Sequence, residues 1–188
     1  MGAPPRGSLT SSRLTLEAPS ESDAAETAAA MTPGVARWLV TWPSPTTEEE
    51  VIKRIEAYRS DIASGDAVHF VLRSLGDHAL VGWTSAWRDD QQPDEWQIGF
   101  WIAEPFQGQG YAFEAASAVL EHVIRAAGPR ALCTTVHPDN VRSIAVLRRL
   151  GLTQVGETSR MIAYSGREEP ALIFWRQLEA QAPAPGGP

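Results

Sequence analysis

Apolar residues recur along this chain with two periods, and the changes of period mark its elements. Arg13 to Glu17 alternates leucine with polar residues, as a half-buried strand does. Ser20 or Ser22 can cap a helix over residues 23–31, and Pro33-Gly34 breaks it. Trp38 to Pro45 has no clean period and reads as an ordered loop or short helix. Thr46 or Thr47, followed by Glu49 and Glu50, resembles a capping box. The helix behind it runs to about Ala63 with Val51, Ile52, Ile55 and Tyr58 (or Arg59) on one side, and Gly65 ends it. Three apolar strands follow, at residues 68–72, 79–87 and 96–102. The Gly76-Asp77 turn and the polar stretch Asp89 to Glu95 join them, an antiparallel meander.

The longest helix comes next. Ala112, Ala115, Ala116, Val119, Leu120, Val123 and Ile124 form one apolar stripe that must face a sheet. Gly128-Pro129 stops it, and Ala131 to Val136 is a strand, so strand, crossover helix and strand make a parallel pair. Pro138-Asp139-Asn140 opens a short helix that ends at Gly151. Strands over 153–157 and 171–178 close the chain. The predicted fold is α+β: a mixed, mostly antiparallel twisted sheet of about seven strands flanked by about four helices. Residues 1–12 and 180–188 read as flexible tails, with one domain over 13–179.

Composition narrows the function. The chain has 188 residues and a net charge of -7, which argues against non-specific nucleic-acid binding. No stretch approaches the roughly 20 apolar residues of a membrane span, and residues 1–12 lack the apolar core of a secretory signal. A cytoplasmic protein is expected. The single cysteine, Cys133, lies in a strand and reads as a small buried apolar group. His69, His78, His122 and His137 show no metal-ligand spacing, so no metal is expected.

Candidate chemistry concentrates at Gln107-Gly108-Gln109-Gly110-Tyr111-Ala112, between a strand and the longest helix. The first N–H groups of a helix lack partners within it, and the helix dipole adds positive charge there. Such a turn suits a phosphate or pyrophosphate. A dinucleotide fold would need a third glycine and an early position, and a P-loop would need Gly-Lys-Ser/Thr; both are missing.

These residues resemble the GCN5-related N-acetyltransferases (GNAT), in particular the RimJ/RimL-like branch of ribosomal-protein alanine acetyltransferases. The resemblance covers roughly Arg13 to Leu178. Residues 107–112 look like that family's Q/R-x-x-G-x-G/A loop, Ile98-Gly99-Phe100-Trp101-Ile102 like its preceding strand, and Asn140-Val141-Arg142-Ser143 with Leu150-Gly151-Leu152 like its Asn-x-x-Ser helix and the step after it. The resemblance implies acetyl-CoA as cofactor and an N-acetyltransferase acting on a primary amine of a peptide N-terminus, amino acid or small molecule. Ile102, Gln107, Gly108, Gln109, Gly110, Tyr111, Ala112, Asn140 and Ser143 would bind the coenzyme, with Ser143 serving the departing thiolate.

Many relatives carry Glu where this chain has Gln97, and an amide cannot accept a proton from ammonium. Glu95, two residues earlier on the same strand face, is the candidate replacement. Glu114, on the first helical turn, is accounted for by the helix dipole. Trp38, Trp42 and Gln97 are the candidate acceptor contacts, and a homodimer is compatible with the chain. A non-catalytic acyl-CoA sensor and a transferase of longer acyl groups are the competing readings.

Overall fold

A computed structural model describes residues 7–178. The expected tail 180–188 lies outside the described residues, as do residues 1–6 of the other. Eight strands form one mixed sheet: β1 (Leu9–Thr10), β2 (Leu14–Glu17), β3 (Ala67–Ser74), β4 (Leu80–Arg88), β5 (Glu95–Ile102), β6 (Ala131–Val136), β7 (Thr153–Ile162) and β8 (Arg167–Gln177). Five helices flank it: α1 (Ala24–Ala30), α2 (Pro33–Ala36), α3 (Glu48–Ser64), α4 (Tyr111–Ala127) and α5 (Val141–Arg149). The spatial order is β1-β2-β3-β4-β5-β6-β8-β7, antiparallel except for the β5–β6 pair.

Local chemistry sets the boundaries. Thr47 caps α3 by accepting from Glu50 N, while Glu50 Oε2 accepts from Thr47 N at 2.7 Å. Gly65 takes the left-handed conformation that closes the helix, with φ 82°. Pro33 does end α1, and it also starts α2, whose first turn is capped by Thr32.

Three differences from the sequence reading have simple causes. β1 falls within the expected tail; two residues paired to Leu16 and Thr15 are too few to show a period. α2 is a single turn, below the length at which an apolar stripe can appear. The β7–β8 hairpin is longer than expected, with β7 running to Ile162 and β8 starting at Arg167. Most of its outer half is exposed, so backbone pairing continues there without hydrophobic alternation.

Each sheet face has its own core. Leu16, Phe70, Trp96, Ile98 and Phe174 pack beneath α4 and α5 with Ala115, Val119, Val123 and Leu147. The opposite face packs Val71, Trp83 and Trp101 against Ala24, Val35, Trp42, Val51 and Ile55 from the α1–α3 side.

One feature of the register positions everything functional. β5 and β6 pair only at Glu95–Ala131, Trp96–Leu132 and Gln97–Cys133. β5 continues to Ile102 and β6 to Val136 without further pairing to each other, while their outer edges stay bonded to β4 and β8. The sheet therefore splits into a V. The turn after β5 and the N-terminus of α5 after β6 stand at its open end.

Candidate functional site

At the open end, Gly108 and Gly110 both take left-handed backbone, with φ 78° and 85°. Gly110 is the residue immediately before α4. Among the described residues, no group accepts from the N–H groups of Gly108, Gln109, Gly110, Tyr111 or Ala112. Two left-handed glycines at a helix start gather these donors into a nest for an anion. A Cβ at Gly108 would meet no protein atom within 4 Å, so the space over the turn is open.

The turn is braced from three sides. Gln107 Nε2 donates to Ile102 O at 2.9 Å, and Gln109 Nε2 donates to Pro105 O at 3.0 Å. Arg142 of α5 donates from Nη1 to Gln107 Oε1 at 2.9 Å, across the mouth of the V. Arg13 donates from Nη1 to Gln109 O at 3.0 Å and lies over the Tyr111 ring, 4.3 Å from its centre.

Glu114 organises the third brace, and the sequence reading missed this. Its Oε1 accepts from Ser11 Oγ, Ser12 Oγ and Arg13 N, and its Oε2 pairs with Arg13 at 2.6 Å. Burial raises the Glu114 pKa, but the hydrogen bonds from Ser11, Ser12 and Arg13 outweigh it and hold the carboxyl at about 2. The helix dipole alone is therefore the wrong account of this residue. A charged partner 101 residues away in sequence leaves no local pattern, though a part-buried carboxylate facing Ser-Ser-Arg is the signature to seek. Arg149 of α5 sits 3.7 Å over the Phe113 ring, adding a further cation beside the turn.

Asn140 is the N-cap of α5: its Oδ1 accepts from Ser143 N at 3.2 Å. That leaves its amide NH2 as a donor. Ser143 is half-buried on the first turn of α5, on the opposite arm of the V from Gln107.

The proposed acceptor residues divide. Trp42 is only 6% exposed and packs edge-on against Trp83 and Trp101, 5.7 and 5.9 Å between ring centres. It belongs to the core on this face of the sheet. Trp38 is half-buried and stands 5.7 Å from the His137 ring, so it spans from the α1–α3 side to the β6–α5 turn. Val40 O accepts from Ala163 N at 3.0 Å, tying this loop to the β7–β8 hairpin.

Gln97, last in the β5–β6 pairing, donates from Nε2 to Asp89 Oδ2 at 2.6 Å. Glu95 lies one step toward the joined end of the V, and its Oε1 accepts from Trp175 Nε1 at 3.3 Å. Cys133 sits opposite Gln97; burial first, then Asp89 and Glu95, push its thiol up to about 11 against the pull of Arg160. Such a thiol is almost wholly protonated at neutral pH. Among the described residues, no group of histidine, cysteine or acidic side chains could hold a metal, and no helix is long and apolar enough to cross a membrane.

A split between parallel strands, with a nest of N–H donors at its open end, has the shape and polarity to take an extended ligand with an anionic group at that end. Comparison with known proteins identifies the family. The family model described as an acetyltransferase (GNAT) domain matches residues 13–153. The uncharacterized N-acetyltransferase YnaD of Bacillus subtilis (strain 168) is 34% identical over 62 residues, 32% of this chain and 36% of that protein. The match thus spans about a third of that curated relative's length. Mycobacterium smegmatis RimJ, in complex with CoA-disulfide, superposes with a TM-score of 0.82 at 20% identity, covering 94% of this chain and 90% of that one. For the ribosomal-protein-S5-alanine acetyltransferase from Vibrio fischeri the TM-score is 0.81 at 19% identity, with 94% and 100% covered. RimL, a ribosomal L7/L12 alpha-N-protein acetyltransferase in complex with coenzyme A, gives 0.78 at 23%, with 95% and 99% covered. At these identities the structural similarity is one of fold.

Proposed function

The chain belongs to the GNAT acetyltransferase family, and on that premise we propose that it transfers the acetyl group of acetyl-CoA to a primary amine by direct attack on the thioester. The unpartnered N–H nest from Gly108 to Ala112 is the observation that carries this reading. The nest holds the pyrophosphate, with Arg142 and Arg149 supplying positive charge around it while Arg13, paired with Glu114, braces the turn. The pantetheine arm runs into the V, where Asn140 donates its amide N–H. The thioester lies near the point where β5 leaves β6, beside Gln97 and Gly99.

The amine nitrogen forms its bond to the carbonyl carbon, and the C–S bond breaks. Ser143 donates a hydrogen bond to the departing thiolate; its hydroxyl is too weak an acid to surrender the proton outright. Glu95 receives the amine's proton through water, as the carboxylate on the Gln97 face. A weak base suits an acceptor that is partly neutral already. An α-amine with a pKa near ~8 is about one-tenth neutral at pH 7, whereas a lysine near ~10.4 is neutral in only a few molecules per ten thousand. The proposed acceptors are therefore peptide or amino-acid α-amines and other amines of low pKa. The fold shared with RimJ and RimL supports a peptide N-terminus.

The test is thiol release from acetyl-CoA across a panel of Ala-, Ser- and Met-initiated peptides, free amino acids, polyamines and lysine peptides at several pH values. Saturable turnover with α-amines ahead of lysines is expected. Tight coenzyme binding with no thiol release from any amine would instead identify an acyl-CoA sensor.

A further inference from the structure

Beneath the acceptor side of the V lies a polar line, buried at its centre, that the reaction as described does not use. His69 of β3 is 5% exposed. Its Nδ1 lies 2.8 Å from Ser85 Oγ on β4, and its ring stacks on Tyr58 of α3, 3.6 Å between centres. Nε2 is buried without a hydrogen-bond partner, and Asp61 Oδ2 of α3 stands 4.0 Å from it. Burial, then the charge of Arg54, lowers the His69 pKa to about 4, so the ring is neutral at pH 7.

A neutral imidazole carries one N–H. With hydrogen on Nε2, that N–H faces the Asp61 carboxylate and is attracted to it. With hydrogen on Nδ1, the Nε2 lone pair would face the same carboxylate, which is half exposed, and be repelled. Asp61 thus places the hydrogen on Nε2 and makes Nδ1 an acceptor. The Ser85 hydroxyl must then give its hydrogen to Nδ1, which leaves its oxygen lone pairs for an outside donor.

Ser85 is half-buried, on the sheet face turned toward α1–α3. It pairs with Gly99 of β5, two residues beyond the last β5–β6 bridge. Gly99 contributes no side chain, and the Trp87 ring edge fills the space where its Cβ would stand, with Cζ3 at 3.2 Å. Ser85 therefore presents an acceptor oxygen over an apolar floor, one strand in from where the thioester is proposed to lie.

We infer that Ser85 binds the acceptor amine through an N–H···Oγ hydrogen bond, and that His69 is the positioning residue that turns the Ser85 hydroxyl away. A neutral primary amine can donate one N–H to Ser85 and keep its lone pair for the carbonyl carbon. This rests on the transferase reading above and adds the residue that orients its substrate.

The test uses the full chain with the best amine from the panel. Ser85→Ala should raise the KM for the amine about tenfold and leave the KM for acetyl-CoA unchanged. Ser85→Thr should restore it, because the hydroxyl is retained. His69→Asn, whose Oδ1 can stand near Nδ1, should keep the amine KM within about threefold of wild type. His69→Phe should match Ser85→Ala, and the double variant should be no worse than either. In 15N spectra between pH 6 and 8, His69 should show a protonated Nε2 and an unprotonated Nδ1, whatever the activity. An unchanged amine KM in folded Ser85→Ala, equal rises in both KM values, or hydrogen on Nδ1 would overturn the inference alone. Coenzyme binding by wild type with no amine acetylated would overturn the transferase reading, and this inference with it.

Discussion

Arg142 and Gln107 join the two arms of the V: Arg142 Nη1 donates to Gln107 Oε1 at 2.9 Å while Gln107 Nε2 donates to Ile102 O. The contact fixes the separation of the glycine turn from the start of α5, and so the width of the mouth of the V. Gln107→Ala removes both bonds. The expected result is about a fivefold weaker acetyl-CoA affinity by calorimetry, with little change in Tm because Gln107 is only half-buried. An unchanged affinity would separate this bridge from coenzyme binding.

Gly110→Ala tests the nest itself. A left-handed non-glycine residue costs roughly 1–2 kcal/mol, so the domain should stay folded with Tm lowered by a few degrees. The added Cβ would reach 3.6 Å from Arg13 Nη2, which the protein tolerates, but it would crowd a bound phosphate. Acetyl-CoA affinity should fall at least tenfold. Gly128→Ala, also left-handed at φ 57° but at the far end of α4, is the control: similar strain, unchanged affinity.

Glu114→Gln probes the bond between the N-terminal segment and the site. The folded carboxyl lies at about 2, below its ordinary 4.5. Its contribution is therefore complete above about pH 4.5 and is lost as the pH falls toward 2. Discounted because the Arg13 side chain is 45% exposed, the contribution is about 2 kcal/mol at pH 7. Thermal unfolding should show the variant about 4–8 °C below wild type at pH 7, with the gap closing near pH 2. A constant gap across that range would mean that charge is not what Glu114 supplies.

Glu95→Gln addresses the proton acceptor. If Glu95 takes the proton, turnover in the variant depends on the free amine alone, and the rise of kcat/KM with pH moves about one unit alkaline. A superimposable profile would remove Glu95 from the mechanism and leave bulk water in that role.

Much of this protein is legible in the chain. The alternation at residues 13–17, the stripe along 112–124 and the stop at Gly128 set elements that the structure reproduces, because each depends on residues adjacent in sequence. The nest is equally local: Gly108 and Gly110 occupy left-handed backbone that few other residues accept. Hence the family, the left-handed glycine turn and the order of elements follow from sequence alone.

Tertiary structure decided the rest. That β5 and β6 part after Gln97–Cys133 is a property of two strands brought together by a crossover, and neither strand encodes it. Trp42 and Trp38 stand four residues apart in one loop, yet one is sealed against Trp83 and Trp101 while the other reaches His137. Ser11, Ser12, Arg13 and Glu114, like His69, Ser85 and Asp61, meet only when the sheet closes on its helices. Hydrogen bonds and charges act through a few ångströms of space, while sequence periodicity reports only which face a residue takes. The partners of a polar side chain are therefore the part of the chemistry that folding alone reveals.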